Sequence, residues 1–439
     1  MAVKREWPFA GFKMSYKKRI KLNQFHCDDL YKFSIKIYNI SLYINHKFAS
    51  YYFTMSKDKF TIPVMAFSAG VIVANVYYSQ PLLNEIAQSL NSNENAVGKI
   101  SVMAQVGYGL GMFFLLSLGD KVNRKHLILF LSLLLATVLV AIYFTADLTI
   151  LYILSFLTGV LSTPAQIILP MAAVLNKKQR GKNVGIVFSG ILCGILSSRV
   201  IAGWLADLCG WQSVFLFSAG LIMISVYLMY KHLPEIPARF KGNYLTLLSS
   251  TLQLIKKFKT LRQAALLGAF TFGIFCSFWT TLTFHLSGKP FNYPPSSIGL
   301  FGLVAIGGAL VAPYFGKRAD KGNVFNNLYF TVGLIFLSLL ALWVFPSSLW
   351  ILLLSVFFLD IGVQATQITN FTRIYALDEE SHSRLNTIYM TTYFIGAGVG
   401  TYFGLLSWGI GGWPVAIIQM LVWSVIAFGI ITLSRAHQL

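Results

Sequence analysis

Residues 96–144 read AVGKISVMAQVGYGLGMFFLLSLGDKVNRKHLILFLSLLLATVLVAIYF, and they contain the plan of the whole chain. An apolar stretch with glycines at Gly98, Gly107, Gly109 and Gly111 is followed by a short basic loop. A second stretch, 127–144, is almost pure hydrocarbon. Each is close to the ~20 residues a helix needs to cross a bilayer. Outward from this pair, twelve such stretches run from about residue 61 to the C-terminus, and three chemical types rotate in fixed order. The second, fifth, eighth and eleventh are glycine-rich, the third, sixth, ninth and twelfth are hydrocarbon, and the first, fourth, seventh and tenth carry most of the polar groups at membrane depth.

Each type implies a place. Small residues let helix backbones approach closely, so glycine rows mark helix–helix seams. Hydrocarbon helices lose nothing by facing lipid. Polar groups in a bilayer are costly unless they face protein or water, so they line a central path. The expected fold is an all-α membrane protein of twelve transmembrane helices in two six-helix, pseudo-symmetric halves.

The expected spans are 61–83, 96–117, 126–146, 149–174, 183–206, 212–231, 263–286, 297–316, 325–345, 348–374, 385–408 and 413–434. The chain divides into a basic extension (1–60), a first half (61–231), a linker (232–262) and a second half (263–435). The composition is 56% hydrophobic and 11% charged, where a soluble domain carries about 25% charged residues. The net charge of +20 does not indicate nucleic acid, because of where it sits. Of 35 Lys and Arg, 12 precede the first span and 20 lie in alternate loops or the tail; the opposite loops hold only Lys99 and Lys289. Positive residues concentrate on the cytoplasmic side, so both termini are expected there, in a multi-pass protein of the inner (plasma) membrane.

Residues 1–60 contain no span, because Lys32, Lys36 and Lys47 interrupt the apolar run, and no signal-peptide pattern occurs. Translation is expected to start at Met55, which opens a typical short lead into a first helix; a basic tail lying on anionic lipid is the alternative. In the linker, "YLTLLSSTLQLIKKF" has helical spacing and a basic end, as in a helix lying on the membrane surface. Four scattered cysteines and seven histidines form no disulfide framework and no metal-ligand spacing, so no metal or cofactor is expected.

Two charged groups stand out within spans. Arg199, in span five, needs an acid, a carbonyl set or an anionic solute, because a charge at membrane depth costs from about 3 to more than 10 kcal/mol; snorkelling to headgroups is the alternative. Asp360, in span ten, is the one carboxylate placed in the membrane interior, and Gln364 and Gln367 share its helix face. A carboxylate removed from water takes up a proton more readily, so Asp360 is the candidate for proton coupling; a polar helix contact is the alternative. Asn75, Tyr77, Tyr78 and Gln80 in span one, Ser162, Thr163 and Gln166 in span four, and Thr280, Thr281 and His285 in span seven are path candidates. Pro164 and Pro170 are expected to kink span four.

The halves repeat at about 200 residues. "LGDKVNRKH" follows span two and "GKRADKGN" follows span eight, which makes Asp120 and Asp320 equivalent; Gly210-Trp211 and Gly412-Trp413 open spans six and twelve. In this arrangement the chain resembles the major facilitator superfamily over about residues 60–435. The family's loop motif after span two reads roughly G-x-L-A-D-R-x-G-R-K. Asp120, Arg124 and Lys125 match it, Leu116 and Asn123 replace its glycines, and the second copy keeps Gly316, Ala319, Asp320 and Gly322. "ANVYYSQPLL" in span one is similar to the branch near the drug/proton antiporters. The antiporters' G-x-x-x-G-P-x-x-G-G pattern in span five is only half present: Gly190 and Gly194 fit, while Ile195 replaces the Pro and Ser197-Ser198 replace the last two glycines. The resemblance implies alternating access about a midplane site, with Asp120, Arg124, Lys125, Gly316 and Asp320 as a cytoplasmic gate motif; Asp120 as a loop charge that only sets topology is the alternative.

No Walker loop occurs, so ATP-driven pumping is not expected. The expected function is secondary transport of a small organic solute, proton-coupled and outward, by a monomer in the lipid bilayer with no nucleic-acid partner. A passive facilitator or an importer of a sugar or amino-acid-like solute is the alternative. A polytopic enzyme would cluster His, Asp and Glu at one membrane face, which this chain does not do; a non-transporting sensor shares the fold.

Overall fold

A computed structural model describes residues 60–119, 121–175, 180–236, 242–304, 324–378 and 381–436. Nine helices among the described residues are long and apolar enough to cross a membrane, and two shorter apolar helices, Phe60–Ala74 and Pro295–Val304, accompany them. One of the nine, His382–Ala436, is two helices joined at a kink where Gly411 and Gly412 leave helical dihedrals. Gly412 has φ +64°, a conformation glycine adopts without steric cost. Counted this way, each of the twelve expected spans is represented.

Most boundaries follow local chemistry. Asn123 caps span three (Arg124–Phe144), Asp147 caps the first part of span four (Leu148–Leu161), and Ser348 caps span ten (Leu349–Tyr375), each accepting from a backbone N–H of the first turn. Span two runs Glu94–Leu116 and its last turn, Met112–Leu116, is a π-helix. Spans five, six, seven and nine are Arg180–Cys209, Trp211–His232, Lys259–Ser287 and Val324–Val344. The expected linker helix is present as Tyr244–Lys257, with Leu247, Leu248, Thr251 and Leu254 on its buried side.

Two spans depart from expectation. Span one is not continuous over 61–83. Its helix stops at Ala74, residues 75–79 form turns, Gln80–Leu82 is a short 3-10 segment, and a separate helix covers Leu83–Ser89. Asn75 is the breaker: its Nδ2 donates to the Val71 and Ile72 carbonyls, 2.9 and 3.2 Å, in competition with the helix ladder. Span four breaks at Ser162-Thr163, just before Pro164, whereas Pro170 sits inside Pro164–Leu175.

The glycine seams lie where small residues permit them. A Cβ on Gly194 would overlap the backbone of Gly70, and one on Gly400 the backbone of Gly273, so spans one and five, and seven and eleven, meet at backbone distance. Span seven has 83% of its most apolar window buried, against 39% for spans three and six, which present Phe130, Phe144, Tyr227 and Leu133 outward. The polar-rich central spans and hydrocarbon outer spans are thus sorted by the cost of exposing each to lipid.

Candidate functional site

The last turn of span one and the middle of span five meet around Arg199, which is 1% exposed. Arg199 Nε and Nη2 both donate to Gln80 Oε1, at 3.2 and 3.0 Å. Its guanidinium carbon lies 4.1 Å from the Trp279 ring centroid, 5.4 Å from Tyr77 and 5.9 Å from Phe275, as in cation–π contacts. Gln80 opens the short 3-10 segment that follows the break in span one at residues 75–79. The Gln80 carbonyl in turn accepts from Thr283 Oγ1 of span seven, 2.9 Å. One residue therefore ties spans one, five and seven together.

Beside Arg199 is a cavity of about 60 Å³ lined by spans one, four, five, seven, ten and eleven. Its polar groups are Tyr77, Gln166, Arg199, Asp360, Gln364 and Gln367, with Tyr393 on span eleven. Phe272 stacks on Tyr393 at 3.9 Å and meets Phe394 edge-on, forming an aromatic wall. This volume accommodates roughly four waters, so a solute of any size requires the helices to part. Asp360 is 2% exposed, its Oδ2 makes no hydrogen bond, and it interacts electrostatically with Arg199 without a direct ion pair. Gln367 reaches Met390 Sδ at 3.8 Å.

The structure gathers five of the expected polar residues with the coupling candidate: Tyr77, Gln166, Arg199, Gln364 and Gln367 line one space with Asp360. Others are placed elsewhere. Asn75 accepts from Ser218 Oγ at 2.7 Å within the packing of spans one and six, and Tyr78 is buried outside the cavity lining. Thr281 donates to the Ser277 carbonyl of its own helix, 2.9 Å, and His285 stacks on Trp413 at 4.2 Å while bonding the Pro346 carbonyl. Gln80 holds Arg199 from outside the cavity. In the gate motif, Arg124 Nε donates to the Gly119 carbonyl at 3.1 Å and the Lys125 ammonium lies over Tyr230 at 5.6 Å. Asp120, Gly316 and Asp320 are outside the described residues. Phe272, Phe275 and Trp279 were not among the expected site residues, although their spacing of three and four places them on one helix face.

Among the described residues, the polar links between the first six and last six spans sit mainly at the end opposite the basic loops. Trp408 Nε1 donates to Glu94 Oε2 at 2.6 Å, the Ser296 N–H to Asp207 Oδ2 at 3.2 Å, and Thr283 to Gln80. At mid-depth, Thr401 Oγ1 donates to Gln105 Oε1 at 2.8 Å. The cavity thus has a tied roof, and its walls run from Arg199 toward the basic end through Leu192 and Phe188.

A polytopic helical bundle with buried charges around a mid-depth cavity defines the class of membrane transport proteins. The chain belongs to the major facilitator superfamily, whose family model matches residues 65–401, and it is a multi-pass membrane transporter of that type rather than an enzyme. The uncharacterized transporter YgaY of Escherichia coli is 38% identical over 371 residues, covering 82% of this chain and 94% of that protein. A Helicobacter pylori protein named "Probable sugar efflux transporter" is 25% identical over 358 residues, 80% of this chain and 89% of its own. Two solved structures share the fold at 13% identity. A bacterial homolog of the human lysosomal transporter Spinster, inward-facing and unoccupied, has TM-score 0.69 over 86% of this chain and 96% of its own. The human organic anion transporter MFSD10 has TM-score 0.64 over 85% and 99%.

Proposed function

We propose that this chain is a proton-linked secondary transporter that exports a small organic solute across the inner membrane, as a monomer with both termini in the cytoplasm. The observation that carries this reading is Asp360: a buried carboxylate with a free oxygen, facing the same cavity as a buried Arg199. A carboxylate that exchanges between a closed, low-dielectric cavity and water binds and releases a proton as the cavity alternates. The two six-helix halves, 61–231 and 263–435, rock about this site, and the 232–262 linker joins them along the basic face. The positive loops support a cytoplasmic position for that face, and the efflux name of the Helicobacter pylori relative supports the outward direction.

A growth screen of deletion and overexpression strains across toxic compounds identifies a solute, which is then followed in proteoliposomes. Wild-type protein is expected to move it uphill under an imposed proton gradient. Asp360→Asn freezes the neutral form; it is expected to abolish accumulation while retaining solute exchange, because exchange needs no net proton movement. Uphill transport retained by Asp360→Asn would remove Asp360 from the coupling step.

A further inference from the structure

A transporter of this kind is defined by its solute, and the surroundings of Arg199 bear on that solute's chemistry. The guanidinium is immobilised by neutral partners alone: the Gln80 side-chain carbonyl and the faces of Trp279, Tyr77 and Phe275. Nη1 is buried and makes no hydrogen bond. Among the described residues no carboxylate lies within ion-pair distance of Arg199, and Asp360 is the one acid lining the cavity. A fixed positive charge thus presents a free donor edge where the cavity begins. The rest of the wall combines three amides and two phenols (Gln166, Gln364, Gln367, Tyr77 and Tyr393) with apolar side chains, among them Ile191, Leu192, Ile195 and Leu196 from span five, and Phe272 and Phe394 from spans seven and eleven.

We propose, resting on the transport function proposed above, that this cavity binds an amphiphilic organic anion, with its acidic group on Arg199 and its apolar or aromatic body against the aliphatic and phenyl wall. A cation would face the fixed charge of Arg199. A neutral polyhydroxylated solute would reach the amides and phenols, but it brings no charge to Arg199 and would set its remaining hydroxyls against these apolar side chains.

The same geometry sets the sign of coupling. Asp360 shares the cavity with Arg199 from span five, Tyr77 from span one, Gln166 from span four and Tyr393 from span eleven, with Gln364 and Gln367 on its own helix. Of these only Arg199 is charged near neutral pH. An ionised Asp360 competes with the anion for the field of Arg199, whereas a protonated one does not. Proton and anion therefore favour each other's binding, and the coupling is reciprocal. Solute and proton then travel in the same direction, so an acid produced in the cell leaves with its proton down its own gradient. The residues that differ from the antiporter pattern are placed accordingly: Ile195 lines the cavity and Ser197-Ser198 directly precede Arg199.

Full-length protein in lipid nanodiscs decides this without any flux measurement. Benzenesulfonate, 1-naphthalenesulfonate and hexanesulfonate stay ionised across the working pH range. Each is titrated beside its sulfonamide and the corresponding amine, with thermal stabilisation and tryptophan emission as readouts. At least one sulfonate is expected to bind about tenfold tighter than its sulfonamide, and about tenfold tighter at pH 5 than at pH 8. Arg199→Gln is expected to erase the preference for the anion. Arg199→Lys keeps the charge but not the forked donor, so it retains a weakened preference and decides the matter if Arg199→Gln does not fold. Asp360→Asn is expected to bind the sulfonate equally at both pH values. Sulfonamides or amines binding as well as every sulfonate, or sulfonate binding that strengthens at pH 8, would overturn the proposal. Sulfonate binding without flux of any solute refutes the transport reading alone. Flux of a solute that no sulfonate inhibits refutes the anion site alone.

Discussion

At the scale of the residue, Gln80 carries more of the site than its amide chemistry foretold. Its side-chain oxygen takes two donors from Arg199 and its carbonyl takes Thr283. Gln80→Ala would leave two further guanidinium nitrogens unpaired in a buried setting. Hydrogen bonds to charged groups contribute about 1.5–3 kcal/mol each, so a loss of about 3–6 kcal/mol in stability is expected. Thermal unfolding of the purified variant in detergent measures it. An unchanged melting temperature would mean that Arg199 finds other partners when Gln80 is removed. Gln80→Glu, in contrast, would pair the guanidinium with a charge and is expected to preserve stability while weakening solute binding.

At the scale of the element, span eleven shows why glycines in one helix are not equivalent. Gly400 faces the backbone of Gly273 on span seven, which cannot give way, whereas Gly398 faces one methyl of Val106 on span two, whose helix backbone stands 3.6 Å off, so a small separation of the two helices relieves the contact. Spans seven and eleven lie within the last six spans; spans two and eleven join the two sets. Gly400→Ala is therefore expected to lower stability by the ~1–3 kcal/mol typical of overpacking. Gly398→Ala is expected to fold near normally and slow turnover, because it tightens a contact that the rocking of the halves must break. Comparing melting temperature and transport rate for the two variants separates the effects. Equal loss of stability in both would show that the span two–eleven seam is as rigid as the span seven–eleven seam.

At the scale of the whole molecule, Trp408–Glu94, Ser296–Asp207 and Thr283–Gln80 tie the end opposite the basic loops, and the cavity walls extend the other way. On the proposed orientation, with the basic end in the cytoplasm, these ties among the described residues lie at the outer end and the cavity walls run inward. In a background without the native cysteines, Gln364→Cys is expected to react with a membrane-impermeant thiol reagent faster in inside-out vesicles than in right-side-out ones. Faster labelling from the outer face would reverse either the orientation or the facing of this state. The 60 Å³ volume also implies that solute binding widens the site, so solute should alter the labelling rate.

The twelve-span plan, the glycine seams and the amphipathic linker helix were legible in the sequence, because bilayer thickness and the cost of buried polarity act on composition and period. Arg199 and Asp360 were legible for the same reason: a charge in hydrocarbon announces itself by its rarity. The break in span one at Asn75 was not, since the run 61–83 is apolar enough to be helical throughout and only the packed neighbours make an unwound segment stable. Nor did spacing separate Gln166, which reaches the cavity, from Asn75, Tyr78 and Thr281, which pack between helices or bond their own backbone. Helix period assigns a face, while the neighbour on that face is set by how twelve helices tilt and cross. Sequence thus determined which groups must leave the lipid, and only the tertiary structure decided which of them meet in one space. That pairing depends on contacts between residues more than a hundred positions apart, as with Arg199 and Gln80.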